Sequence, residues 1–240
     1  MEMEQPNEEL TADSLKELGN KAVKDNKLSE AILHYTAAIK LDPQNHVLYS
    51  NRSFVHLMMK HYFLAMTDAK ETIALSPLWP KGYFRKGEVE YATSQYIDAY
   101  ESYHEALRLK PQDSVILLAL DNVGKQIMRQ KKMDKEVPWV GAGLGIIMGV
   151  SLLVAEYVTS RALTHPLLMS FITIIMSLSG YAIARFWRAY VKGQQRNLLD
   201  APLDLLNDLG GKEEEEQENK RRTPRYTKSQ ARMRYRKGKS

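Results

Sequence analysis

The stretches KLDPQN (40–45), ALSPLW (74–79) and RLKPQD (108–113) decide the fold. Each sets a proline after a short amphipathic run, and Pro43, Pro77 and Pro111 are spaced 34 residues apart. A fixed period of this length is the signature of a helical solenoid. With each proline at repeat position 32, the chain divides into units 12–45, 46–79 and 80–113. Position 20 is then alanine three times: Ala31, Ala65 and Ala99. Position 8 is always small: Gly19, Ser53 and Gly87. Position 4 holds Leu15, Tyr49 and Tyr83, position 24 holds Tyr35, Ala69 and Tyr103, and position 27 holds Ala38, Thr72 and Ala106.

Small residues at positions 8 and 20 let two antiparallel helices approach closely, and larger residues at 4 and 24 fill the space between them. The proline stops the second helix before the next unit starts. This pattern resembles the tetratricopeptide repeat family over residues 12–113. The expected fold is therefore all-α: a three-repeat solenoid of that family, completed by a capping helix and basic linker over 114–135. An acidic N-terminal segment, 1–11, precedes it.

In such a solenoid the first helix of each repeat lines the concave surface. Repeat positions 2, 5, 6 and 9 form one stripe of that helix. The stripe reads Asp13, Lys16, Glu17 and Asn20, then Val47, Ser50, Asn51 and Phe54, then Lys81, Phe84, Arg85 and Glu88. Lys16, Asn20, Asn51, Lys81 and Arg85 are thus expected to converge on one groove. An anion with two or more negative oxygens would satisfy them. Glu17 and Glu88 either tune which ligand is preferred or stay solvated.

The arrangement is similar to the two-carboxylate clamp of tetratricopeptide co-chaperones. That pattern is Lys-x-x-x-Asn on the first helix, Asn on the third and Lys-x-x-x-Arg on the fifth. Lys16 and Asn20, Asn51, and Lys81 and Arg85 match it at the same spacing. The resemblance implies binding of the free C-terminus of cytosolic heat-shock chaperones of the seventy- and ninety-kilodalton classes, whose tails end in Glu-Glu-Val-Asp. It implies that Lys16, Asn20, Asn51 and Lys81 hold the main-chain carboxylate. Lys81 and Arg85 would reach an acidic side chain, and Phe54 and Phe84 an apolar one.

Two apolar runs of 19 residues each, 137–155 and 166–184, carry no charge. Each is long enough to cross most of a bilayer core as a helix. A transmembrane hairpin with helices at 137–158 and 166–185 is expected. Lys125, Arg129, Lys131, Lys132 and Lys135 stand before it, and Arg185, Arg188, Lys192 and Arg196 after it, while the link has only Arg161. The excess of cations on one side places both ends in the cytosol. Trp139, Tyr181, Trp187 and Tyr190 are placed for the interface. The short spans favour the endoplasmic reticulum or the mitochondrial outer membrane over a thick plasma membrane. Gly141, Gly145 and Gly149 recur every four residues, the pattern of close helix contact. They pack the two spans together, or they join a second copy of the chain (a homodimer) or another membrane protein.

The remaining tail, 186–240, turns from acidic to basic. Its last 21 residues contain ten Lys or Arg and no Asp or Glu. Such a segment is expected to be disordered and to attract RNA, ribosomes or anionic lipid by charge.

The sequence carries no nucleophile elbow and no phosphate loop, and GAGLG (141–145) lies inside an apolar span. With no cysteine, thiolate metal sites and disulfides are excluded. His56 and His61 are five apart and are expected to share no face. No enzyme, cofactor or metal is expected. The reading is a membrane-anchored co-chaperone. Its rivals are a membrane-tethered adaptor for some other peptide, or a ribosome or RNA tether acting through the tail.

Overall fold

The computed structural model describes residues 11–158 and 166–201 of the 240-residue chain. The expectations for residues 1–10, for the link containing Arg161 and for the tail beyond 201 lie outside the described residues. Those described hold eight helices and no strand. Six come in three pairs: α1 (Ala12–Lys24) with α2 (Leu28–Leu41), α3 (His46–Met58) with α4 (Tyr62–Leu75), and α5 (Pro80–Ala92) with α6 (Tyr96–Leu109). Two long helices follow, α7 (Ser114–Val158) and α8 (Pro166–Asn197).

The period of 34 is repeated in the chemistry of the helix ends. Thr11 caps α1 by accepting from the Ser14 amide at 3.1 Å, and Asn45 caps α3 by accepting from the Val47 amide at 3.2 Å. Asp113 accepts from the Val115 amide at 3.0 Å as α7 starts. The fourth equivalent, Trp79, has no oxygen to offer; there Pro80 opens α5 instead, at a position whose missing N–H costs nothing. The turns inside the pairs match as well. Asn26, Lys60 and Ser94 each take a left-handed φ, 58°, 60° and 62°.

Packing within the pairs explains the alternation of small and large residues. A Cβ on Gly19 would stand 2.6 Å from the Tyr35 ring, and one on Gly87 would stand 2.7 Å from the Tyr103 ring. In the middle repeat Ser53 takes the glycine position and Ala69 takes the tyrosine position. The Ser53 hydroxyl donates to the Ala65 carbonyl at 2.7 Å. Volume lost on one helix is thus returned on the other, which keeps the interior dense. Ala31, Ala65 and Ala99 are fully buried, as are Ala38, Thr72 and Ala106. α7 closes the end by placing Ile116 and Val123 against Ala99, Tyr103 and Ala106.

The boundary expected at residue 136 is not a break. The capping helix, the basic linker and the first apolar run form one continuous helix of 45 residues, with Pro138 inside it. The ring of Pro138 removes the amide that would bond to the Asp134 carbonyl. The side chain of Asp134 is what ties this level of α7 to α8. It accepts from Arg188 Nε at 3.1 Å, from Arg188 Nη2 at 2.5 Å, and from Lys192 Nζ. Burial opposes ionisation of Asp134, but the hydrogen bonds from Lys192 and Arg188 outweigh it and hold the carboxyl below its usual range. α8 runs past residue 184, where its apolar run ends, to Asn197.

Candidate peptide-binding groove

α1, α3 and α5 carry the five residues of the expected clamp. Asn20 and Asn51 meet: Asn51 Nδ2 donates to Asn20 Oδ1 at 3.4 Å. The same oxygen accepts from the Tyr35 hydroxyl at 2.7 Å. With Oδ1 so engaged, the Asn20 amide nitrogen turns to Glu17 Oε1, 3.3 Å away. Tyr35 therefore sets which way Asn20 points, a role that its place in the core pattern did not announce. Burial, with Glu17 nearby, pushes its hydroxyl up to about 12. It stays a donor throughout the physiological range.

Arg85 lies over Phe54, with its guanidinium carbon 4.3 Å from the ring centroid. Its Nη1 donates to Glu88 at 2.6 Å, while its Nε is buried with no hydrogen-bond partner among the described residues. Lys81 sits one turn earlier, with Nζ 5.7 Å from the Trp79 ring centroid. Burial first, and the adjacent Arg85 second, push the Lys81 ammonium below its usual value, against the pull of Glu88. Lys16 is held by Asp13 at 2.6 Å, and that hydrogen bond outweighs desolvation and raises its pKa. The three donor clusters are thus each occupied by a carboxylate of the chain: Asp13 on Lys16, Glu17 on Asn20 and Glu88 on Arg85.

Phe84 packs on the core rather than standing free, 5.3 Å from the Tyr103 ring. One edge of it, with Trp79, Lys81, Lys110, Val115 and Ile116, lines a cavity of about 420 Å³ at the α5–α7 end of the groove. Phe54 is half-buried, with Arg85 over one face of its ring.

Two expectations are corrected. Ser50, placed on the groove stripe, is fully buried, and its hydroxyl has no partner among the described residues. The helix turns that position inward. His56 and His61 do come together, with ring centroids 5.9 Å apart, because the tight turn after α3 folds α4 back over it. His56 is also 3.9 Å from Asp68. That carboxylate is already held by Arg52 through two 2.8 Å bonds, and burial keeps His56 below its usual pKa. The cluster braces α3 against α4. Among the described residues no group of three or more His, Cys, Asp or Glu is placed to hold a metal.

Gly141, Gly145 and Gly149 face α8. A Cβ at Gly141 would run into the Gly180 carbonyl, and one at Gly145 into the Met176 carbonyl. At Gly149 it would lie 2.8 Å from the Thr173 methyl. The stripe that the sequence also offered to a second copy is therefore covered within the chain.

No family model matches the chain. Hsp70-Hsp90 organising protein of Plasmodium falciparum is 38% identical over 117 residues, 49% of this chain and 46% of that protein. Hsp70-Hsp90 organizing protein 2 of Arabidopsis thaliana is 42% identical over 122 residues, 51% of this chain and 21% of that protein. The repeats are tetratricopeptide repeats. They are related to those of the Hsp70-Hsp90 organising proteins, and this chain spans less than half the length of either relative. A solved structure of the first tetratricopeptide repeat domain of Spaghetti, bound to the HSP90 peptide SRMEEVD, is 31% identical. It covers 49% of this chain and 94% of that one, with a TM-score of 0.47.

Proposed function

We propose that this chain is a membrane-anchored co-chaperone. Its tetratricopeptide groove captures the free, acidic C-terminus of a cytosolic chaperone of the Hsp70 or Hsp90 class, and its hairpin holds that chaperone at an organelle surface. The observation that carries the first half is the Asn20–Asn51 contact beside an Arg85 whose Nε is buried and unpaired. Two amides and three cations offer more donors than the chain's own carboxylates use. A peptide with a main-chain carboxylate and an acidic side chain supplies the missing acceptors. Lys16, Asn20, Asn51 and Lys81 take the main-chain carboxylate, Lys81 and Arg85 take the acidic side chain, and the cavity beside Phe84 takes an apolar residue. The curated relatives, named for Hsp70 and Hsp90, support this choice of partner.

The second half rests on exposure. α7 and α8 are both long and apolar enough to cross a membrane. Val140, Ile147, Phe171, Ile175, Leu178 and Ile183 are each more than half exposed. Such a surface is stable against lipid and not against water. Cations flank both ends of the hairpin on the same side as the solenoid, which supports a cytosolic groove. The endoplasmic reticulum and the mitochondrial outer membrane are the membranes that suit these spans.

The test is calorimetric titration of the full chain, in detergent, with two peptides ending in Glu-Glu-Val-Asp, one a free acid and one an amide. Binding of the free acid alone supports the clamp. Equal binding of both sinks it and favours an adaptor for some other peptide. Carbonate extraction tests the hairpin separately: release into the supernatant would remove it.

A further inference from the structure

The extension of α8 beyond its apolar run leans toward the turn between α5 and α6, and a cleft lined mostly by polar residues lies between them. It consists of two adjoining hollows of about 270 and 330 Å³. Ser94, Tyr96, Gln130, Lys192 and Gln195 line both. Arg129 and Arg188 border the first, and Arg196 borders the second.

The charge is one-sided. Four cations line the cleft, and Asp98 is the only carboxylate among the lining residues. Asp134 holds Arg188 and Lys192 in place from behind, which fixes the floor of the cleft without neutralising all of it. Arg129 and Arg196 form no ion pair among the described residues. Between the cations stand neutral donors: the Ser94 and Tyr96 hydroxyls and the amides of four glutamines, Gln95, Gln126, Gln130 and Gln195. Two cations held by Asp134 and two without an ion pair, interleaved with neutral donors, match an anion that carries several charges on more than one group.

Position narrows the class. The first apolar run starts at residue 137 and the second ends at 184. With a helical rise of about 1.5 Å per residue, Arg129 and Lys192 stand roughly 12 Å beyond the ends of the apolar runs. That is beyond the phosphodiester layer of a simple lipid. It is within reach of phosphates carried on a larger headgroup.

We propose that this cleft binds a polyphosphorylated inositol group, presented as the headgroup of a membrane phospholipid. The site is separate from the peptide groove. It rests on the membrane reading above, because the hairpin sets the height of the cleft. Headgroup binding would fasten α8 to the solenoid as well as to the bilayer. It would add a lipid-dependent fastening to the one that the continuous α7 already provides.

The test uses the full chain reconstituted in phosphatidylcholine nanodiscs. A fluorescent phosphatidylinositol bisphosphate is the probe, with phosphatidylserine discs of matched charge and soluble inositol trisphosphate as competitors. Tight binding is expected to the bisphosphate discs and at least tenfold weaker binding to the phosphatidylserine discs. The pair Arg129→Gln and Arg196→Gln should weaken binding tenfold or more. The pair Lys131→Gln and Lys135→Gln, in the same basic stretch but outside the cleft, should change it less than twofold. Equal loss from both pairs, or equal binding to phosphatidylserine, overturns the site in favour of general charge attraction. Competition by soluble inositol trisphosphate at the affinity of the lipid keeps the chemistry and names the free anion as ligand. Failure of the chain to enter the discs sinks the membrane reading. Entry without headgroup binding sinks this proposal alone.

Discussion

Arg85 donates to Glu88 at 2.6 Å, so the strongest bidentate donor of the groove is already engaged before any peptide arrives. A ligand carboxylate must displace Glu88 to use both arms of the guanidinium. Glu88→Gln removes that competitor and leaves the cation in place. The expected effect is a gain of about 1 kcal/mol, or roughly fivefold, in affinity for a free-acid peptide. Titration of the variant should show this gain. An unchanged or weaker affinity would mean that Glu88 orients Arg85 rather than blocking it.

Arg85→Lys tests whether shape matters beyond charge. The guanidinium is planar, lies 4.3 Å from the centroid of Phe54 and presents several donors at once. A lysine keeps the charge and loses the fork. Affinity should fall by roughly 1.5–3 kcal/mol, as for the loss of a charged hydrogen bond. Circular dichroism should report unchanged helix content, which separates this loss from unfolding.

Lys81 gives the groove a pH dependence. Its ammonium is held below 10.5 by burial and by Arg85, so it loses its proton earlier than an exposed lysine as pH rises. A bound carboxylate favours the charged form. Binding is therefore strongest below the depressed pKa and weakens through it, with a proton taken up on binding within that window. Titrations between neutral pH and pH 10 in buffers of different ionisation enthalpy would detect this uptake. Lys81→Arg should flatten the profile, and a profile that stays steep would assign the titration elsewhere.

Gly145 and Gly143 offer an internal control in the hairpin. A Cβ at Gly145 meets the Met176 backbone, whereas nothing lies within 4 Å of one at Gly143. Gly145→Ile should separate α7 from α8 and shorten the lifetime of the chain in detergent, because two backbones cannot move apart cheaply. Gly143→Ile should leave it unchanged. Equal behaviour of the two variants would mean that the helices do not pack along this stripe.

Lys60 takes a φ of 60°, a conformation that strains any residue with a Cβ. Asn26 tolerates the same position better through its short polar side chain. Lys60→Gly removes the strain and loosens the unfolded chain. The expected balance is a gain of about 0.5–1 kcal/mol in the repeats, read as a higher denaturant midpoint. A loss would mean that the lysine stem packs more than its exposure suggests.

Most of the solenoid was legible in one dimension. The prolines, the small positions and the apolar stripes recur every 34 residues because each repeat solves the same local packing problem. The residues of the proposed clamp could be picked out for the same reason, since helical spacing alone places Lys16 with Asn20 and Lys81 with Arg85 on common faces. Where a residue lies near the edge of a face, spacing could not decide. Ser50 turned inward, and Phe54 went under Arg85.

The rest depends on contacts between elements far apart in sequence. The sequence by itself determined the three helical pairs, the groove that carries five polar groups and the two apolar helices that leave it. Only the tertiary structure decided that Tyr35 aims Asn20, that Arg85 on α5 lies over Phe54 on α3, and that Asp134 on α7 reaches Arg188 and Lys192 on α8. Periodicity records which way a side chain points from its own helix. Which charge it meets depends on the angle and register at which the helices pack, and these follow from the summed packing of all their side chains.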